Sequence, residues 1–391
     1  MKHNWEYKKL GDICSIVGRI GFRGYTRDDL VEKGNGAISL SPSNIIDGKL
    51  NFDDKVSYLS WEKYYESPEI MLAEGDVVFT KTASIGKCAL VKKLPVETTL
   101  NPQLVVLKNI QCDSSYLTYT LQDKRFQEAV LSKKGGTSIP TISQAFLGSL
   151  PVPVPPIETQ KQIVAELDKI NEAIEDCREL LRNLDALAQS LFYDFFGDPA
   201  INPKGWQTKS LDEICEAIST GITYKPDNVA DFGTIVLRSS NIQNSSLVLD
   251  DIVRIDMPLK PSQYVQKNDI IMCSRNGSAR LVGKVALIPE LKEKMSWGAF
   301  MTIIRSNYYH FLFQYFRLPA FREQLTKTKT TTVNQITIGM LKKIHLPVPP
   351  LELQEKFAAR MEEIEAQKKV VESTIAELKT LLDSRMDYWF N

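Results

Sequence analysis

Apolar residues alternate in steps of four and three along two stretches of the chain, and that pattern organises the rest. From Ile163 they run through Leu167, Ile170, Ile174, Cys177, Leu181, Leu184, Ala188, Leu191 and Phe195. Such an a/d heptad, sustained over about nine turns, predicts a long helix that buries one narrow stripe. At an offset of 194 residues the second stretch gives Phe357, Met361, Ile364, Lys368, Val371, Ile375, Leu378, Leu382, Arg385 and Trp389. Lys368 and Arg385 depart from the apolar seam.

A Pro-rich segment opens each helix, LPVPVPPIETQKQI at 150–163 and LPVPPLELQEKF at 346–357. Proline sets φ and disfavours helix at the residue before it. The chain therefore leaves the preceding segment extended and begins its helix at a fixed place.

The segments before the two helices also match in order. Trp5 precedes KKLGDIC and Trp206 precedes TKSLDEIC. A Gly-containing loop follows (GRIGFRGYTRDD, STGITYKPDN), then a strand-like run into Ser-Asn-Ile (ISLSPSNI, IVLRSSNI). Next come EGDVVFTKTASIGKCALV and KNDIIMCSRNGSARLVGKVALI, whose β-branched runs and Gly-rich connections predict antiparallel hairpins. The second copy is longer between Asp269 and Gly283 than the first between Asp76 and Gly86, which places an insertion in a loop. Helical stretches at 114–131 and 308–325, then the loops SKKGGTSIPTIS and TKTKTTTVNQIT, lead to a last strand and the Pro motif.

The expected fold is α+β, with two pseudo-repeated α/β domains at 1–150 and 198–346. Each is followed by a Pro motif and helix, at 151–197 and 347–391. Pairing of the helices within the chain costs less than dimerisation, because the second domain already tethers them. An antiparallel intramolecular coiled coil is therefore expected. A helix of about 37 residues spans about 55 Å. An antiparallel pair would relate the two domains by a pseudo-twofold axis, suited to a duplex read at inverted half-sites roughly 34 Å apart.

Charge narrows the class. The 48 basic residues balance the 48 acidic ones, which argues against binding nucleic acid by bulk attraction. Both domains are nevertheless mildly basic and both helical segments acidic, so a DNA contact would lie on the domains. No run of apolar residues is long enough to span a membrane, and MKHNWEYKKLGDIC lacks a signal-peptide core. The six cysteines show no metal-type spacing, and Cys14 and Cys215, at matching positions, read as reduced core thiols. A cytoplasmic protein is expected.

The order of motifs resembles the specificity (S) subunit of type I restriction–modification systems. The resemblance rests on the two Pro motifs with their heptad helices and on the GD or ND turns before VVFTKTASIGK and IIMCSRNGSARLVGK. The Trp-LGDI and Trp-LDEI openings and the Ser-Asn-Ile runs add to it. It implies that 1–150 and 198–346 are target recognition domains, each reading half of a split double-stranded DNA sequence. It further implies that the helices act as spacer and docking surface for two modification (methyltransferase) subunits, which restriction subunits join.

No catalytic, cofactor or metal site is expected. Asn101-Pro102-Gln103-Leu104 lacks the second Pro and the aromatic of a methyltransferase motif, and KTASIGKC and GSARLVGKV miss the phosphate-loop pattern. His3, His310 and His345 are too scattered for a metal cluster or triad. DNA reading needs bidentate donors for bases, and cations or hydroxyls for phosphates, on loops near one face. The first domain offers Arg19, Arg23 and Tyr25, then Lys81, Thr82 and Ser84, then Lys133, Lys134, Thr137 and Ser138. The second offers Thr223, Tyr224 and Lys225, then Arg238, then Arg275, Asn276, Ser278 and Arg280, then Lys327, Lys329, Thr330 and Asn334. A coiled-coil adaptor between two protein-binding domains is the alternative; it leaves the basic loops recurring in both halves unexplained.

Overall fold

The computed structural model describes residues 5–53, 56–132, 140–328 and 335–390. The chain packs as two compact units, Met1–Cys177 with Thr374–Asn391, and Arg178–Ser373. The division falls inside both long helices, Ile157–Phe196 and Leu351–Phe390. Each unit thus holds one α/β domain, the start of the helix that follows it and the end of the other helix.

In the first unit, Tyr7–Lys9 pairs antiparallel with Pro151–Pro153, so the domain's two ends close on each other. One four-stranded sheet runs Ser15–Gly18, Leu104–Lys108, Val77–Thr80, Cys88–Leu90, all antiparallel. A second runs Thr98–Leu100, Gly36–Leu40, Ser57–Ser60, Leu30–Val31. Its first pair is parallel, a pairing on which the sequence is silent, whereas the expected hairpins at 77–90 and 270–287 are antiparallel. Alternate residues of the central strands face different cores. Val77, Phe79, Val105 and Leu107 pack with Leu117, Leu121, Phe126 and Val130 of the helices Ser114–Gln122 and Lys124–Leu131. Val78, Leu104 and Val106 pack against Ile38, Leu40 and Leu100 of the second sheet. Burial on both faces is why these strands read as unbroken apolar runs rather than alternating ones.

The second unit repeats this. Ala217–Thr220, Met301–Arg305, Ile270–Cys273 and Val285–Leu287 form the antiparallel sheet. Thr234–Leu237 pairs with Met295–Trp297 in parallel. Ile270, Met272 and Ile304 face Phe311, Leu312 and Phe321, whereas Ile271, Cys273 and Ile303 face Ile235, Leu237 and Trp297. All six cysteines are free. Burial pushes the thiols of Cys14 and Cys215 up to about 12, consistent with inert packing residues.

The glutamine of each Pro motif has a structural task. Gln160 Nε2 donates to the Pro155 carbonyl at 2.8 Å while its Oε1 accepts from the Asp113 amide, also at 2.8 Å. Gln354 Nε2 makes the matching bond to Pro349 at 2.6 Å. Both amides are buried, and each ties the first helical turn to the backbone of the Pro motif that precedes it.

Within each unit the start of one long helix packs on the end of the other, so the pairing is antiparallel. In the first unit Ile163 and Leu167 meet Leu382, Met386 and Phe390. In the second, Leu184, Ala188, Phe192 and Phe196 meet Phe357, Met361 and Ile364. The two charged departures in the seam form cross-helix ion pairs. Arg385 binds Glu166 through Nε and Nη2, and Trp389 Nε1 donates to the same carboxylate at 2.8 Å. Lys368 binds Asp185 at 2.8 Å, joined by Arg317 at 2.6 Å. Near the end of the first helix the buried face shifts from the expected Leu191 and Phe195 to Phe192 and Phe196. There the helix packs on Phe311 as well as Phe357, which turns its apolar side.

These pairs make the helix contact pH-dependent. The hydrogen bond from Arg385 holds Glu166 below the usual carboxylate range. Burial pushes Asp185 up, but hydrogen bonds from Lys368 and Arg317 outweigh it and leave that carboxyl low as well. A carboxylate depressed in the folded state contributes stability above its unfolded pKa of about 4 and loses it as pH falls further. In urea titrations Glu166→Gln is therefore expected to be less stable than the parent at pH 7, with the gap closing toward pH 3. A gap unchanged with pH would show that the charge contributes nothing.

Candidate nucleic-acid interface

Three connections meet at one corner of each domain. In the first, the hairpin loop leaves Thr80, and the Lys81 amide donates to Gln103 O at 2.9 Å. The Ile142 amide donates to Lys81 O at 3.0 Å, Thr82 bridges Thr141, and their hydroxyls lie 3.2 Å apart. In the second, the Ser274 amide donates to Phe300 O at 2.9 Å and the Ile336 amide to Ser274 O at 2.8 Å. Arg275 bridges Gln335 there. The hairpin and late loops are among the three loops expected from the sequence to lie near one face, whereas the segments 101–103 and 298–300 are not.

The motifs shared by both halves build this corner rather than face outward from it. Asn44 and Asn241 are buried, their Oδ1 atoms accepting from the amides of Ser41 and Arg238 at 2.9 and 2.8 Å. Lys87 reaches the carbonyls of Pro42 and Ile45, and Lys284 those of Ser239 and Ile242. Each lysine so ties the hairpin to the Ser-Asn-Ile turn. Gly86 and Gly283 before them have φ of 99° and 83°, a region that disfavours a side chain. Asp76 pairs with Lys108 at 2.9 Å, and Asp269 with Arg305 through two bonds of 2.7 Å.

The family model for the type I restriction modification DNA specificity domain matches residues 2–182 and again 203–380. The chain belongs to that family. Among relatives, the type I restriction enzyme MjaIX specificity subunit of Methanocaldococcus jannaschii is 21% identical over 379 residues, covering 90% of this chain and 85% of its own. The EcoKI specificity subunit of Escherichia coli is 27% identical over 188 residues, covering 46% of this chain and 39% of its own. The S subunit of a type I restriction–modification system from M. genitalium shares the fold at a TM-score of 0.51 and 14% identity. It covers 99% of this chain, which covers 96% of it. A chain solved in work on the assembly and conformational transition of the type I R-M system superposes at 0.53 and 19% identity, with 99% and 97% covered.

Within this specificity chain the candidate DNA residues divide sharply. Arg19 is 7% exposed. Its guanidinium donates to Leu100 O, Arg23 O, Ser67 Oγ and Thr99 Oγ1, all at 3.3–3.5 Å. Arg23 pairs with Glu69 at 3.3 Å, and the Tyr25 hydroxyl lies 2.9 Å from Ser39 Oγ. All three hold the first domain's Gly loop; Arg19 is spent on the interior, while Arg23 and Tyr25 are half-buried. Tyr224, at the matching place, packs with Ile222, Val236 and Ile255, while Thr223 and Lys225 are exposed. Arg238 is half-buried and binds Asp251 at 2.9 Å. Asn276 Nδ2 donates to Ser239 Oγ, and its Oδ1 accepts from the Ser278 amide. Ser84, Arg275, Ser278 and Arg280 are exposed, and Lys81 and Thr82 half-buried. Lys133, Lys134, Thr137, Ser138, Lys329, Thr330 and Asn334 lie outside the described residues, as does the side chain of Lys327.

Among the described residues no helix is long and apolar enough to cross a membrane.

Proposed function

We propose that this chain is the non-catalytic DNA-reading subunit of a type I restriction–modification complex. Each domain reads one half of a split double-stranded target. The two long helices set the spacing between half-sites and dock two modification subunits, which restriction subunits join in the full complex. One observation carries the reading: the same three-way loop corner recurs in both domains with unlike side chains at its tip. A shared scaffold that exchanges only its exposed residues is what reading two different sequences requires.

The test uses the full chain with its modification subunits and a duplex carrying both half-sites. Arg275→Glu with Lys225→Glu should weaken binding to that duplex roughly 100-fold or more, through lost contacts and added repulsion. Assembly with the modification subunits should survive. Adding one base pair between half-sites turns the second by about 35° and should likewise weaken binding. Unchanged DNA binding by the charge-reversed chain would point instead to an adaptor that joins proteins without touching DNA.

A further inference from the structure

Arg275 is held along one edge and on one face of its guanidinium. Its Nε and Nη2 both donate to Gln335 Oε1, at 3.2 and 2.7 Å, which uses the side edge of the guanidinium. Phe300 covers one face, with its ring centroid 5.6 Å away, and the ring itself stays 57% exposed. The backbone beneath is fixed as well, since Phe300 O accepts from the amides of Ser274 and Arg275 at 2.9 and 3.1 Å. The end-on edge is left over, with one N–H each from Nη1 and Nη2 lying parallel. That fork matches the two acceptors, O6 and N7, that guanine presents in the major groove.

We propose that Arg275 is the guanine-reading residue of the second domain, with Gln335 and Phe300 as the positioning residues that orient it. This rests on the reading of the chain as a DNA-recognition subunit. An unrestrained arginine loses much rotamer freedom when it binds; here the freedom is largely spent beforehand, and the plane of the fork is set. A lysine would present a point charge and no fork. Among the described residues the first domain's corner holds Thr82, Thr141 and Gln103 where the second holds this guanidinium, so the fork belongs to the second domain's half-site.

The experiment maps modified sites genome-wide in cells carrying the full chain and its modification subunits. The parent should show a split motif with at least one required G·C pair in the half assigned to the second domain. Arg275→Ala should lower the preference at that one pair about 10-fold to 100-fold and leave every other position intact. Gln335→Leu, which removes the acceptor, should relax the same pair, and Gln335→Glu, which restores an oxygen, should recover it. If Arg275→Ala abolishes modification altogether, the two Gln335 variants decide the matter by the same single-position readout. A motif unchanged in all variants, or relaxed at an A·T pair, overturns the assignment while leaving the DNA-reading role in place. A parent chain that directs modification to no split motif overturns that role instead.

Discussion

Replacing Phe357 by Ala is expected to remove about 3–5 kcal/mol from the second unit, the cost of truncating a large aromatic in a closed core. Phe357 is 0% exposed and touches three rings of the other helix. Its centroid lies 6.0 Å from Phe192, 5.7 Å from Phe195 and 4.8 Å from Phe196. Phe311, from the domain's own helix Tyr309–Arg317, stacks on Phe192 at 5.4 Å, so one cavity would loosen the helix pair and the domain together. Val370, exposed on the same helix and in the same unit, is the contrast, and Val370→Ala should cost less than about 0.5 kcal/mol. The measurement is chemical denaturation followed by tryptophan fluorescence. Trp206 and Trp297 report the second unit, while Trp5, Trp61 and Trp389 report the first. A loss below 1 kcal/mol, or one shared equally by both sets of tryptophans, would show that Phe357 is not the keystone of the second unit.

The two heptads, the Pro motifs and the hairpins were legible because each is local. A 3.5-residue period, a proline and a β-branched run carry their structure within a few residues. Even the partners of Lys368 and Arg385 follow once antiparallel pairing is assumed, because Asp185 and Glu166 are then the acids opposite them. Other features were hidden because they depend on residues far along the chain. The parallel pairing of Thr98–Leu100 with Gly36–Leu40 leaves no local mark. Arg19 looks like a loop cation, and only the fold brings Leu100 O and Ser67 Oγ to it. Phe300 went unnoticed for the opposite reason. An aromatic beside the strand Met301–Arg305 reads as core, yet the chain turns it outward under Arg275.

The family's acidic turn before the hairpin leads to the other large effect. Asp269 is fully buried, and it accepts two bonds of 2.7 Å from Arg305 and one of 2.7 Å from the Gln266 amide. Its hydrogen bonds raise the Arg305 guanidinium further above its already high range. Asp269→Ala strands a partly buried cation and orphans an amide, a loss of about 3 kcal/mol. Asp269→Asn keeps an acceptor for Gln266 and should cost less. Asp76→Ala in the first domain should also cost less, because Lys108 keeps a 2.6 Å bond to Met71 O and has a flexible stem that can find water. The damage should extend to recognition. Asp269 anchors the strand Ile270–Cys273, which runs directly into Ser274 and Arg275. Asp269→Ala should therefore weaken reading of the second half-site and spare the first, as measured by binding to duplexes in which each half-site is scrambled in turn. Equal loss at both half-sites would mean that the substitution unfolds more than the strand it anchors, and an unchanged denaturation midpoint would mean that the ion pair holds nothing.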